Sequence, residues 1–456
     1  MSSLMESSSS EKGLLLACVG FLATRLLVLF LLPPLLSDVP LYAGYAARTI
    51  HGGEVPYADF NIEYPPVSFW ATLPPCWLAS EAPGTAGFLK EYRFFFRVEM
   101  FLCDAVAFAL FLHAVWWRRR AFLTPAAWAY VLAGFLLGPV LYDRLDMVLL
   151  LPLMLAAWGW AAAGSAARPL GPFLACAAGL GIGVAAKLIP VVAAPFLGLA
   201  LLRRLAPGQI CAVAGAFLLA AAGPFIVQTM VSGKGVWWFL GFHAERGLEV
   251  ESLYGSAFMA LSPWLTVRAF QGPGSWDISA PGAQTVASCS LWLTLGLLAA
   301  LGLTSVVRAR RSSADSGAFT PALLALIVTA AFAKVLSAQY LMWLVPLLLL
   351  AGVELLPWRG YLILVGACLL LAIATTYVFP FNFMQARHPH SGAILVRHAL
   401  LQGLGPERTF DSGAAAVLGL RNLLLLVLTA WLAARWFVAP APRGDADSEG
   451  EPCGLP

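Results

Sequence analysis

The chain has 456 residues, of which 60% are hydrophobic and 11% charged, and its mean hydropathy is +0.80. Soluble domains carry about 25% charged residues, so this composition excludes a soluble globular protein and indicates many membrane crossings. The net charge of +4 is spread along the chain without a basic tract, which excludes nucleic acid as the expected partner.

The apolar runs are continuous and do not alternate, so the expected fold class is an all-α polytopic membrane protein and not a barrel. Residues 1–12 form a short Ser-rich tail. Residues 13–36 are longer than the apolar core of a cleaved leader and read as a retained first span. Further spans are expected near 94–117, 122–142, 146–163, 169–186, 188–202, 208–229, 284–306, 319–335, 338–356, 359–380 and 412–437, about twelve in all at roughly 20 residues per crossing. The stretch 169–202 divides into two short helices if it breaks at Lys187-Leu188-Ile189-Pro190, where a charge and a proline fall together. Residues 65–80 are apolar but short and hold Pro65, Pro66, Pro74 and Pro75; they read as interfacial or re-entrant. Residues 438–456, with Asp445, Asp447, Glu449 and Glu451, read as a disordered tail.

The arginine clusters Arg118-Arg119-Arg120, Arg203-Arg204 and Arg308/Arg310/Arg311 fall in short loops. With a cytoplasmic N-terminus all three lie inside, as the positive-inside rule asks. Both termini are then cytoplasmic, the span-bearing unit covers 13–437, and three long loops, 37–93, 230–283 and 381–411, face outward. The eight cysteines are scattered without a CxxC pair, so neither a disulfide framework nor a zinc site is expected.

The chemistry-bearing residues collect on the outer side. In the first loop stand Asp38, Asp59 and Glu63, with Tyr42, Tyr57 and Tyr64. Asp38 precedes Val39-Pro40 and fits a helix N-cap; a carboxylate at a membrane surface is equally suited to act as a general base on an acceptor hydroxyl. Tyr142-Asp143-Arg144-Leu145-Asp146 places three charges at a span end, where a buried Arg–Asp pair is one reading and a site the other. His243 and Arg246 share a face if their segment is helical, and a guanidinium matches phosphate oxygens in pairs. Lys187 and Lys334 end apolar helices on the same side; snorkelling explains either one, while both beside His243 and Arg246 suggest an anion site. Glu251 and Gln339 lie in the same stretches. Arg387, His388 and His390 read as loop, with a weak metal signal. A transporter or lipid-linked-sugar flippase is the competing reading; its best candidate is Asp104 within the second span, with Glu99 about one turn earlier.

Taken together in this order, the Asp38 loop, Pro56-Tyr57-Ala58-Asp59-Phe60, Glu63-Tyr64-Pro65-Pro66, Tyr142 to Asp146, Lys187-Leu188-Ile189-Pro190, His243-Ala244-Glu245-Arg246-Gly247 with Glu251-Ser252, and Lys334 to Tyr340 resemble the GT-C glycosyltransferases, most closely glycosyltransferase family 87. The resemblance implies a GT-C fold with interfacial helices in the long first outer loop. It implies transfer of a hexose, mannose by preference, from a polyprenyl-phosphate donor to a lipid or glycan acceptor at the outer face of the cytoplasmic membrane, with inversion. It assigns the catalytic carboxylate to Asp38 and the donor phosphate to His243, Arg246, Lys334 and Lys187. Substrate binding or shaping falls to Tyr42, Tyr57, Asp59, Glu63, Tyr64, Asp143, Arg144, Asp146, Glu251 and Gln339. No metal or other cofactor is expected, and the first outer loop holds no DxD cluster.

Overall fold

The computed structural model describes residues 2–33, 37–311, 319–384, 399–403 and 406–438. Its helices in chain order are α1 (Ser2–Leu31), α2 (Val39–Ile50), α3 (Pro66–Trp70), α4 (Leu73–Leu78), α5 (Ala86–Arg119), α6 (Leu123–Leu136), α7 (Gly138–Leu141), α8 (Asp146–Ser165), α9 (Leu170–Ala186), α10 (Ala194–Arg204), α11 (Pro207–Ser232), α12 (Trp238–Glu245), α13 (Leu253–Ala260), α14 (Ala283–Arg311), α15 (Phe319–Ala331), α16 (Leu341–Leu355), α17 (Trp358–Thr376) and α18 (Ser412–Val438). The chain is an all-α polytopic membrane protein. Among the described residues, eight helical stretches are long and apolar enough to cross a membrane. One of them, Ala86–Leu136, holds both α5 and α6, turned at a short 3-10 segment. Helices α9 and α15 are apolar but shorter, and the 3-10 segment Ile189–Ala193 continues into α10 as a further leg. The break before that leg falls at Lys187, whose extended backbone ends α9, with Pro190 two residues into the next turn.

The stretch 65–80, expected to be interfacial or re-entrant, forms two short helices, α3 and α4, lying beside the bundle. A proline stands in the first turn of each, where its missing N–H costs nothing. The Ser68 hydroxyl donates to the Ala186 carbonyl (2.8 Å), the Trp70 indole to Gln228 Oε1 (2.9 Å) and the Tyr92 hydroxyl to the Thr72 carbonyl (2.8 Å), which docks the pair onto α9, α11 and α5.

The arginine clusters sit together at one end. Arg118 holds Glu354 through two bonds of 2.6 Å, Arg119 donates to the Val353 and Leu356 carbonyls, Arg204 to the Ala163 carbonyl and Arg308 to the Trp436 carbonyl. Cations on helix C-terminal carbonyls complement the helix dipole there. The long loops lie at the opposite end. They contain a small sheet that the sequence reading did not foresee: β1 (Arg268–Gly272), β2 (Ser275–Ser279), β3 (Leu401–Gln402) and β4 (Glu407–Phe410), in the order β2-β1-β4-β3. The segment before α13 runs along β2, with Ile278 N–H donating to the Leu248 carbonyl (2.7 Å) and Val250 N–H to the Trp276 carbonyl (2.9 Å).

The core is centred on α16, where each residue from Leu341 through Val353 is buried. Within the bundle Asp104 is 1% exposed and fully satisfied: Arg25 Nε lies 2.9 Å from Oδ2, Tyr142 donates to Oδ2 (2.8 Å) and Tyr130 to Oδ1 (2.7 Å). The residue singled out for transport is thus a clamp between α1, α5 and α6, held as a neutral ion pair.

Candidate functional site

At the loop-bearing end lies a cavity of about 380 Å³. Among its lining residues are Asp38, Glu63, Tyr64, Arg144, Asp146, Lys187, His243, Arg246, Glu251 and Gln339. Residues from five separate stretches of sequence thus meet in one place. The other lining groups include Phe242, Glu249, Trp276, Ser337, Tyr340 and Phe379.

Asp38 occupies the N-cap position of α2 through its backbone: its carbonyl accepts from Leu41 and Tyr42 N–H, and Pro40 opens the helix. Its side chain makes no cap bond. The Ser37 hydroxyl takes that task, accepting from Val39 N–H at 3.1 Å. The Asp38 carboxylate is left to face the cavity, paired with Arg144.

The Tyr142 to Asp146 motif divides its charges. Asp143 faces away from the cavity and takes two bonds of 2.8 Å from Arg97, so its role is to fix α5 against the start of α8. Arg144 and Asp146 turn into the cavity. Asp146 Oδ1 accepts from Lys187 Nζ (2.9 Å) and from the Trp343 indole (3.0 Å). Lys187 also stands 4.0 Å from the Tyr340 ring centre, a cation–π arrangement that fixes the ammonium at the cavity wall.

His243 and Arg246 come from the end of α12. Arg246 is the first residue past the helix, yet both line the cavity. His243 Nε2 lies 3.1 Å from the Glu63 carbonyl, which assigns the proton to that nitrogen. Enclosure by the cavity walls, then the charges of Arg246 and Lys187, push His243 down to about 4. It is therefore a neutral imidazole at neutral pH, and the expected donor-phosphate cation is instead a brace on the Glu63 backbone. Arg246 approaches Glu249 at 3.6 Å, beyond hydrogen-bonding reach, and its Nε is buried without a partner. An unsatisfied buried guanidinium is costly unless an anion completes it.

Lys334 does not line the cavity. Its ammonium donates to the Ala244 carbonyl (3.0 Å) and to the Arg246 carbonyl (2.5 Å). It holds the chain that presents Arg246, where the sequence reading gave it to phosphate. Glu249 accepts from Leu336 N–H (2.7 Å) and the Ser337 hydroxyl (2.8 Å), and Glu251 meets Arg421 at 3.3 Å. Burial, with Glu249 nearby, raises Glu251 to about 7 against the pull of Arg421.

Three other candidates shape the first loop from outside the cavity. Tyr57 adopts φ 64, rare for a side-chain-bearing residue, and its hydroxyl donates to the Tyr64 carbonyl (2.7 Å). A Cβ at Gly235 would lie 2.0 Å from the Tyr57 carbonyl oxygen, so the glycine permits the approach that holds this turn. Asp59 accepts from Val55 N–H (2.7 Å) and is a turn residue. Tyr42 is buried beneath Asp38, its hydroxyl 3.5 Å from Asp38 Oδ2 and 3.4 Å from the Tyr64 hydroxyl. Burial raises the proton affinity of the Glu63 carboxyl, with Arg246 and Tyr64 acting the other way.

The β1–β2 hairpin tip closes one side of the cavity through Gly274, Ser275 and Trp276. Its Pro273-Gly274 turn was legible as a turn, but nothing local indicates where it docks. Arg421-Asn422, within an apolar span, carried a signal that was not used: a charge inside a span is a functional or structural anchor by default. Arg387, His388 and His390 lie outside the described residues, as does the tail with Asp445, Asp447, Glu449 and Glu451.

The chain matches no protein-family profile and no curated protein sequence. Among solved structures it aligns with the crystal structure of ArnT from Cupriavidus metallidurans bound to undecaprenyl phosphate. The alignment covers 92% of this chain and 77% of that one, at 15% identity and a TM-score of 0.45. At that identity and fit, the functional reading has to rest on the cavity's own residues.

Proposed function

We propose that the protein is a membrane glycosyltransferase that moves a hexose, mannose first among candidates, from a polyprenyl-phosphate donor to a hydroxyl of a lipid or glycan acceptor. The observation that carries this reading is the pairing, in one cavity at the membrane end of the bundle, of a carboxylate freed from capping duty and an under-coordinated guanidinium: Asp38 and Arg246. The order of motifs that resembles family 87 supports it further. With the arginine clusters taken as cytoplasmic, the cavity opens to the outer leaflet of the cytoplasmic membrane.

In this reading Arg246 and Lys187 bind the donor phosphate and stabilise the second negative charge that develops as the bond to the anomeric carbon breaks. Phosphate leaves without a general acid, so the chemistry asks for cations and no metal. Asp38 takes the proton from the acceptor hydroxyl as its oxygen attacks the opposite face of the sugar, and the configuration inverts. Arg144 orients the carboxylate. Tyr64, Trp276 and Tyr340 offer ring faces to the sugar, and Gln339 and Asp146 offer polar contacts at its hydroxyls.

Asp38→Asn is expected to lower transfer from a radiolabelled polyprenyl-phosphate hexose by about 10²- to 10⁴-fold, the range for loss of a general base, measured at equal amounts of folded protein because loss of the Arg144 counter-charge also lowers the melting temperature. Wild-type-like turnover would remove Asp38 from that role. Failure of the wild-type protein to transfer sugar from a panel of polyprenyl-phosphate hexoses would overturn the reading itself, and movement of intact donor across vesicles would favour a transporter.

A further inference from the structure

Arg246 leaves the end of α12 with φ −57 and ψ 134, so the helix itself does not fix where its side chain points. Two residues remote in sequence do. The Lys334 ammonium donates to the Arg246 carbonyl (2.5 Å) and to the Ala244 carbonyl (3.0 Å), and the next N–H along the chain, that of Gly247, donates to Asp277 Oδ2 (3.0 Å). One peptide group, Arg246–Gly247, is thereby held at its oxygen by a cation and at its N–H by a carboxylate. Both charges complement the peptide's own dipole, and a hydrogen bond with an ionised partner is about twice as strong as a neutral one. Neither Lys334 nor Asp277 lines the cavity.

The seat is shaped for this contact. Asp277 is 1% exposed, and its other oxygen accepts from the Ser275 hydroxyl (2.8 Å). A Cβ at Gly247 would stand 2.7 Å from Asp277 Oδ2, and one at Gly272 closer still, so two glycines leave the slot that the carboxylate fills. The flanking backbone is tied as well: the Leu248 carbonyl accepts from Ile278 N–H (2.7 Å), and Glu249 N–H donates to the Lys334 carbonyl (3.0 Å). Lys334 thus holds the 246–249 segment at both ends, with its side chain and with its main chain. The guanidinium presented by this frame has a buried Nε without a partner and stands 3.6 Å from Glu249. Released from the frame, it has a carboxylate within reach, and closing onto it would cancel the charge that faces the cavity.

We propose that Lys334 and Asp277 are positioning residues for donor binding: by gripping the two ends of the Arg246–Gly247 peptide they hold the Arg246 guanidinium open to the donor phosphate. This rests on the glycosyltransferase reading and adds what aims its phosphate ligand.

The test measures the affinity of the full-length protein in nanodiscs for polyprenyl phosphate, with the matching polyprenol as the phosphate-free control, at equal amounts of folded protein. Lys334→Met, Asp277→Ala and Gly247→Ala are each made in the wild type and in Arg246→Ala. Each is expected to weaken polyprenyl-phosphate binding by about tenfold in the wild-type background and by less than about twofold once Arg246 is absent, because its route to the phosphate is through that side chain. Polyprenol binding stays unchanged, and Lys334→Arg, which keeps a cation on both carbonyls, recovers most of the affinity. Gly247→Ala keeps both charges and drives Asp277 off the peptide, so it carries the test where a charge deletion does not fold. An equal loss in both backgrounds overturns the proposal: Lys334 then touches phosphate itself, or the loop simply collapses. Wild-type affinity in the three single variants, with weak binding by Arg246→Ala, also overturns it and leaves the glycosyltransferase reading standing. Unchanged binding by Arg246→Ala removes the phosphate ligand on which both rest.

Discussion

At the residue scale, position and chemistry separate. Asp38 satisfies a capping pattern and yet caps nothing with its side chain, because Ser37 one residue earlier does so. His243 shows the reverse: a residue chosen for charge is neutral. Since its pKa is lowered from 6.5 to about 4, the unfolded chain binds a proton in that interval that the folded chain refuses. Its contribution to stability is thus present above pH 6.5 and lost as pH falls toward 4. The imidazole edge is open to the cavity, which softens the slope. His243→Gln is expected to flatten the fall in melting temperature between those limits, measured by thermal unfolding in detergent across pH. An unchanged slope would mean that other groups account for it.

At the scale of elements, the site is assembled by loops that the bundle holds in place. The turn from Glu249 to Ser256 is pinned to α18, with Asn422 Nδ2 donating to the Glu251 carbonyl (3.0 Å), the Ser252 carbonyl (2.9 Å) and the Ser256 hydroxyl (2.5 Å). The β1–β2 hairpin depends on Gly274, whose φ is +66; a Cβ there would stand 2.9 Å from Phe242 Cζ and 3.1 Å from Glu63 Oε2. Gly274→Val is therefore expected to incur about 1–2 kcal/mol of backbone strain and to push the hairpin tip off the cavity. The measurable outcome is a fall of roughly tenfold in kcat/KM, with a small loss in melting temperature. Full activity would show that the tip plays no part in substrate binding. The break at Lys187-Leu188-Ile189-Pro190 was legible because a charge and a proline coincide there; the docking of α3 was not, because it depends on single hydrogen bonds to residues more than 100 positions away, Ser68 to Ala186 and Trp70 to Gln228.

At the scale of the whole molecule, Asp104 within the bundle is structural, whereas a cluster of charged groups at the loop end faces a cavity. Asp104 makes the distinction testable. Asp104→Asn would leave Arg25 buried without its counter-charge, and breaking a buried pair costs about 3–5 kcal/mol. The expected outcome is a sharp loss of folded protein by size-exclusion and thermal melting, with the Arg25→Met, Asp104→Leu double variant recovering much of it. A well-folded Asp104→Asn protein with normal melting would contradict the clamp and restore Asp104 as a candidate for transport.

The sequence by itself determined the membrane-spanning helical class, the grouping of arginines at one end and most of the charged residues that line the cavity, because hydropathy, charge placement and turn residues act locally. Only the tertiary structure decided which carboxylate faces the cavity, that Asp143 serves Arg97 while Asp146 serves Lys187, that Lys334 holds a loop, and that His243 is neutral. Those outcomes depend on burial and on partners brought together from distant positions, and neither is encoded in the spacing of residues along the chain.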